Sequence, residues 1–201
     1  MTGCAKGGVS MRLDICAGGS GGQGVLLFGT TIIHAAVQEG KRAICLPSYG
    51  AEARGGEVSC FVIFSDSEIL SPFADAMDYL VFFNTASFTK FREHIRSGVT
   101  IFHDASAEET PQVPPGVRSI GVPLGDLVAT LDRRCANMAM LGAFIELTRI
   151  LDFHKLASTF ERVFKGKGGS FIGLNQQAVE AGRQWAKAQG LSPDGGTVES
   201  R

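Results

Sequence analysis

The chain has 201 residues, 44% of them hydrophobic and 19% charged, which suits one domain with a single sizeable core. Its 19 Lys and Arg nearly cancel its 20 Asp and Glu, for a formal charge of -1, and that gives no support to nucleic acid or an acidic membrane as the main partner. No apolar stretch is long enough to cross a membrane.

Residues 1–10 are small and polar, lack the apolar core of a secretory signal, and read as a loose arm. The pattern begins at Met11, so Met1 and Met11 both stand open as the start. Residues 11–17 read as a first strand. Gly18-Gly19-Ser20-Gly21-Gly22-Gln23-Gly24 follows and opens a helix from Gln23 to Gln38, with a broad apolar face including Val25, Phe28, Ile32 and Ala36. Residues 42–47 read as a second strand stopped by Pro47. A second flexible segment then runs Pro47-Ser48-Tyr49-Gly50-Ala51-Glu52-Ala53-Arg54-Gly55-Gly56. Glu57 to Phe64 reads as a third strand. The apolar run Tyr79 to Phe83 reads as a strand buried on both faces.

A helix from Ser87 to Arg96 should end at Ser97-Gly98, before a strand Val99 to His103. A turn at Pro111 to Gly116 and a strand Val117 to Val122 come next. Helices then take over: Ala136 to Ile150, an amphipathic Phe153 to Phe164, and a last helix to about Gln189 capped by Ser170. From Gly190 the tail reads as disordered. No internal repeat is visible. The order implies an α/β, Rossmann-like doubly wound, mostly parallel sheet with a helical C-terminal part, one domain over 11–189.

The two glycine-rich segments would end neighbouring strands, where open α/β sheets place a nucleotide-type crevice. Gly19-x-Gly21-x-x-Gly24 fits the dinucleotide fingerprint between a strand and a helix. A nicotinamide dinucleotide site also wants an acid at the end of strand two. Ile44-Cys45-Leu46-Pro47 has none, and Glu39 falls in the turn before that strand. A phosphate or other anion at the helix N-terminus is the preferred reading, with tight helix–strand packing as its alternative. In the second segment Arg54 either holds a phosphate or carboxylate or pairs with Glu52.

The five cysteines are Cys4, Cys16, Cys45, Cys60 and Cys135. No two have metal-motif spacing, so no metal site is expected in this chain. Cys16, Cys45 and Cys60 read as buried small hydrophobes, and an odd count without a signal peptide fits a reducing cytoplasm. His103-Asp104 ends a strand but reads as a surface pair. His34 reads as packed or partly exposed, His94 and His154 as helix-surface residues, Met138 as core, and Lys165 and Lys167 as a solvated loop. Asn137 stands between a helix cap and a site residue.

Gly19-Ser20-Gly21-Gly22-Gln23-Gly24 and the whole of Pro47 to Gly56 together resemble the gamma subunit of the 2-oxoacid:ferredoxin oxidoreductases. Ser59-Cys60, Ile69 to Pro72 before a short helix, Asn84, Ala136-Asn137-Met138-Ala139-Met140-Leu141-Gly142, Phe164-Lys165-Gly166-Lys167 and Asn175 continue the resemblance over about 11–187. The beta subunit of indolepyruvate oxidoreductase shares the Gly-Gly-Gln-Gly turn, but Tyr49 and Glu52 place this chain on the general 2-oxoacid side. That enzyme, and a free-standing dinucleotide-binding oxidoreductase, are the alternatives.

The resemblance implies a non-autonomous subunit of an enzyme that decarboxylates a 2-oxoacid on thiamine diphosphate. Such an enzyme forms an acyl-coenzyme A and passes electrons through iron–sulfur clusters to ferredoxin. It also implies that alpha and beta subunits hold the thiamine diphosphate, with its magnesium, and that the clusters lie in partner subunits, possible partners including a ferredoxin-like delta chain. This chain would help bind coenzyme A over the thiamine site, through Gly19, Gly21, Gly22, Gln23, Gly24, Tyr49, Gly50, Glu52, Arg54, Gly55, Gly56 and Asn137. It would carry no catalytic residue of its own.

Overall fold

The computed structural model describes residues 11–50, 56–74, 76–107, 112–166 and 168–191. Six strands form one sheet: β1 (Arg12–Ser20), β2 (Arg42–Tyr49), β3 (Glu57–Ser65), β4 (Tyr79–Phe82), β5 (Thr100–Asp104) and β6 (Arg118–Val122). Their order is β2-β3-β1-β4-β5-β6. The β1–β4, β4–β5 and β5–β6 pairs are parallel. β3 alone runs against the rest, between β1 and β2. The helices are α1 (Val25–Gln38), α2 (Thr85–Phe91), α3 (Leu124–Leu127), α4 (Ala136–Thr148), α5 (Phe153–Ser158), α6 (Phe160–Val163) and α7 (Gly169–Ala188).

Strand alternation divides the core. Ile15, Ala17, Val62, Val81 and Phe102 face α1 and α4, where Phe28 and Phe144 fill the interior. Cys16, Leu80, Phe82 and Ile101 face the other way, onto Phe88 and Phe91 of α2. The doubly wound expectation therefore holds, with unequal layers. The first face is deeper because α7 packs outside α4. Gly142 and Gly182 let the two backbones meet there: a Cβ on Gly142 would collide with the Val179 carbonyl oxygen, and one on Gly182 with that of Ala139. α4 is consequently buried almost all round, as its strongly apolar sequence predicts.

Several boundaries differ from expectation, each for a tertiary reason. β1 extends to Ser20 because β3 pairs with Gly18, Gly19 and Ser20 through Ser59, Val58 and Glu57. The first glycine-rich segment is thus half strand and half turn. β2 runs through Pro47 to Tyr49, since it lies at the sheet edge, where a missing N–H is tolerated. β1 and β2 are not neighbours; β3 separates them. The expected helix from Ser87 to Arg96 is α2 followed by a 3-10 turn at Arg92–His94. Phe153 to Phe164 breaks into α5 and α6, and α3 is an additional short helix. Ser170 lies inside α7, whose cap is Gly168, and the described residues after Pro72 form no short helix. The expected arm and most of the tail lie outside the described residues. Among the described residues no helix is long and apolar enough to cross a membrane.

Candidate functional site

The carboxyl ends of β1 and β4 lie side by side, Gly18 opposite Phe82. From β1 the chain turns to one flank of the sheet, through α1 to β2 and β3, and from β4 to the other, through β5 and β6. Such a reversal point is where open α/β sheets bind ligands.

Two side chains fix the turn between β1 and α1. The Gln23 Oε1 accepts from the Ser20 N–H at 2.6 Å and from Asn84 Nδ2 at 2.8 Å, while its Nε2 donates to the Phe83 carbonyl at 3.0 Å. Asn84 Nδ2 also donates to Ser20 Oγ, and its Oδ1 caps α2 by accepting from the Ser87 N–H at 2.8 Å. The amide of Gln23 is thus engaged at both ends by the chain itself, and its contribution is to hold Gly21 and Gly22 outward, where both are exposed.

The helix start itself is bare. Gly24 is the N-cap at φ 74°, with no side-chain cap and no acid in the first turn of α1. The N-terminal N–H groups and dipole end of a helix left in that state favour an anion. Asn137 packs directly beneath, 1% exposed, its Nδ2 donating to the Gly24 carbonyl at 3.1 Å. It is not a cap, because α4 begins after Cys135 without one. Its Oδ1 is buried without a partner.

A pocket of about 210 Å³ opens beside this turn, lined by Gly22, Gln23, Phe83, Asp104, Leu124, Arg133, Arg134 and Ala136. Arg134 is paired with Asp132 at 2.5 Å, and its hydrogen bonds pull that carboxyl down to about 2. Arg133 is exposed and has no partner among the described residues, so the pocket carries an uncommitted cation. A second hollow, of about 470 Å³, lies on the other side of the turn between Ser20, Gly56, Glu57, Ser87 and Lys90. The Ser87 hydroxyl is buried there without a partner, and Glu57 pairs with Lys90 at 3.0 Å.

The two glycine-rich segments meet between these hollows. The Gly21 N–H donates to the Gly56 carbonyl at 2.8 Å, and the Gly50 N–H to that of Glu57 at 2.6 Å. Tyr49 is 65% exposed at the end of β2. Glu52, Arg54 and Gly55 lie outside the described residues. The structure therefore gathers Gly19, Gly21, Gly22, Gln23, Gly24, Gly56 and Asn137 about one turn, with Tyr49 and Gly50 at the base of the second segment.

Other candidates fall elsewhere. Glu39 ends α1, at the opposite end of the helix from the glycine turn, and accepts from the Asp152 N–H at 2.6 Å. From there it cannot reach a ribose held at the glycine turn. Contrary to expectation, His103 is not a surface residue: it is 7% exposed, and burial holds its imidazole below the ordinary value. His94 and His154 are exposed, His34 is half-buried, and Lys165 is exposed, while Lys167 lies outside the described residues. Cys16 and Cys60 are buried as expected, but Cys45 is only half-buried. Among the described residues no three His, Cys, Asp or Glu side chains group closely enough to hold a metal ion.

Arg133, Arg134 and Ser87 were not legible as site residues. The only sequence signal was two adjacent arginines just before Ala136-Asn137, and their meeting with Gly22 depends on a contact more than a hundred residues long in sequence.

Comparison with known proteins identifies the family. The family model for pyruvate ferredoxin/flavodoxin oxidoreductase matches residues 14–185. A ketoisovalerate oxidoreductase subunit VorA of Methanothermobacter marburgensis is 36% identical over 84% of this chain and 35% of its own length. The chain thus spans about a third of the first such relatives. A 2-oxoglutarate synthase subunit KorC of Methanocaldococcus jannaschii is 33% identical over 71% of this chain and 79% of its own. Among solved structures, a 2-oxoglutarate:ferredoxin oxidoreductase of Magnetococcus marinus, with 2-oxoglutarate, coenzyme A and succinyl-CoA bound, superposes at TM-score 0.81 and 26% identity, over 88% of this chain and 31% of that one. The gamma subunit of a keto/oxoacid ferredoxin oxidoreductase of Geobacter sulfurreducens superposes at 0.73 and 26% identity, over 88% and 99%. The chain belongs to the pyruvate ferredoxin/flavodoxin oxidoreductase family, as a domain of the gamma-subunit type.

Proposed function

We propose that this domain holds the phosphate-bearing part of coenzyme A for a 2-oxoacid:ferredoxin oxidoreductase, at the turn between β1 and α1. The observation that carries the reading is the uncapped start of α1 beside a pocket whose Arg133 has no partner among the described residues. Coenzyme A brings phosphates, which suit helix N–H donors and a guanidinium fork. The Magnetococcus relative with coenzyme A bound supports the assignment. Gly22 and Gly24 let the backbone approach the ligand, Gln23 and Asn84 hold that backbone in place, and Asn137 supports it from below.

In this reading alpha and beta partner subunits or domains hold thiamine diphosphate with its magnesium, and the iron–sulfur clusters lie in partner subunits or domains. The thiamine supplies the decarboxylating chemistry, and electrons leave for ferredoxin. The chain contributes binding and coverage of that centre, working in the cytoplasm, and is inactive alone. Tyr49, Gly50, Glu52, Arg54, Gly55 and Gly56 complete the cover from the second segment.

The test is coenzyme A-dependent viologen reduction by the assembled enzyme. Arg133→Ala should raise the KM for coenzyme A roughly 10-fold or more, the loss of one charge-assisted contact, while leaving the KM for the 2-oxoacid in place. Unchanged coenzyme A saturation in that variant and in Gly22→Asp would refute the assignment.

A further inference from the structure

We propose that Cys45 and Cys60 form a redox modification site, a dithiol that a peroxide closes to a disulfide between β2 and β3. The two Sγ atoms lie 2.9 Å apart, against about 2.05 Å in a formed bond. They come from different strands: Cys45 is opposite Val62, and Cys60 is opposite Pro47, so the pair is diagonal across the antiparallel ladder. Their surroundings differ. Cys60 is fully buried and lies beneath α1, where a Cβ on Gly29 would come within 2.5 Å of its sulfur. Cys45 is half-buried on the edge strand and is the approachable member.

The contact also sorts their chemistry. The hydrogen bond between them holds the Cys45 thiol below its ordinary value, while the same bond and burial push the Cys60 thiol up. Cys45, the approachable member, is therefore the attacking sulfur and Cys60 the resolving thiol. In the first step the Cys45 sulfur attacks one oxygen of hydrogen peroxide. The O–O bond breaks, the departing hydroxide takes a proton and leaves as water, and Cys45 becomes a sulfenic acid. In the second step the Cys60 sulfur displaces that hydroxyl from Cys45, and its proton leaves with it as a second water. Two thiols and one peroxide give one disulfide and two waters, the sulfurs supplying both electrons.

Cys16 and Cys135 make the contrast. Both are buried, burial pushes Cys16 up to about 12 and raises Cys135 as well, and neither is hydrogen-bonded to another thiol among the described residues. The bond would close the span 45–60, which contains the whole second glycine-rich segment. Oxidation would thus fasten the stem of that segment, which meets the first turn through Gly21 and Gly56.

The full chain is treated with hydrogen peroxide, alkylated, digested with trypsin without reductant and weighed by mass spectrometry. Cys45 and Cys60 fall on separate tryptic peptides, 43–54 and 55–90. The proposal expects these peptides joined, lighter by two hydrogens than their sum, in a band that runs as monomer and is restored by dithiothreitol. Cys60→Ser should leave Cys45 as a sulfenic acid captured by dimedone, and Cys45→Ser should leave Cys60 a free thiol. Separate peptides with both thiols still alkylated, or Cys45 carried to sulfinic acid beside a reduced Cys60, would overturn it.

Discussion

Replacing Gly24 with alanine would add one carbon and incur two costs. The backbone at Gly24 has φ 74°, a left-handed conformation that costs a residue with a Cβ about 1–2 kcal/mol. The added Cβ would also collide with the Asn137 amide, its Cγ at 2.7 Å, and overpacking of this kind costs about 1–3 kcal/mol. Together they predict a loss of about 2–5 kcal/mol. In an Asn137→Ala background the nearest atom from that residue would be Cβ at 3.3 Å, so only the backbone cost of about 1–2 kcal/mol should remain. Asn137→Ala alone loses its bond to the Gly24 carbonyl, worth about 1 kcal/mol, and also removes a buried oxygen that has no partner. The double-mutant cycle should therefore show about 1–3 kcal/mol of coupling, measured as midpoint shifts in urea unfolding at constant slope. Coupling below about 0.5 kcal/mol, the range of independent sites, would refute the proposed support of the turn by α4.

Three other perturbations test separate parts of the structure. Gly142→Ala or Gly182→Ala places a Cβ into a facing carbonyl and should cost about 2 kcal/mol or more, read as a lowered thermal midpoint; an unchanged midpoint would contradict the close α4–α7 contact. Asn84→Ala removes the α2 cap and the tie to Ser20 and Gln23. It should cost about 1–2 kcal/mol and speed hydrogen exchange in 20–24 and 85–91 before the sheet interior. His103 has a depressed folded pKa, caused first by burial. The unfolded chain therefore binds the extra proton first, and stability should fall as pH drops through the unfolded value of about 6.5. His103→Gln should flatten that slope, and a wild-type profile flat across this window would contradict the buried neutral imidazole.

The parts of the fold that were legible in the sequence are those where local pattern and tertiary demand agree. The apolar run Tyr79 to Phe83 and the strongly apolar stretch of α4 each announce an element buried on nearly every side, and both are found so. Where neighbours decide, local signals misled. Pro47 marks a stop only in a strand paired on both edges, and β2 is an edge. Gly18 and Gly19 look like a loop, yet β3 recruits them into a ladder. The reversal of β3 had no local signature, because alternation does not encode strand direction. At the site, the glycine turn could be read directly from its motif. The Gln23–Asn84 tie, the pocket-lining Arg133 and the Cys45–Cys60 contact join residues distant in sequence, and no spacing rule carries them.

The most direct measurement of the central claim is the coenzyme A dependence of the assembled enzyme, followed by viologen reduction with a panel of 2-oxoacids and compared between wild type and Arg133→Ala. Turnover should require coenzyme A, with its KM raised roughly 10-fold or more in the variant and the 2-oxoacid KM unmoved. Identical coenzyme A saturation in both enzymes would contradict the placement of that ligand at the β1–α1 turn.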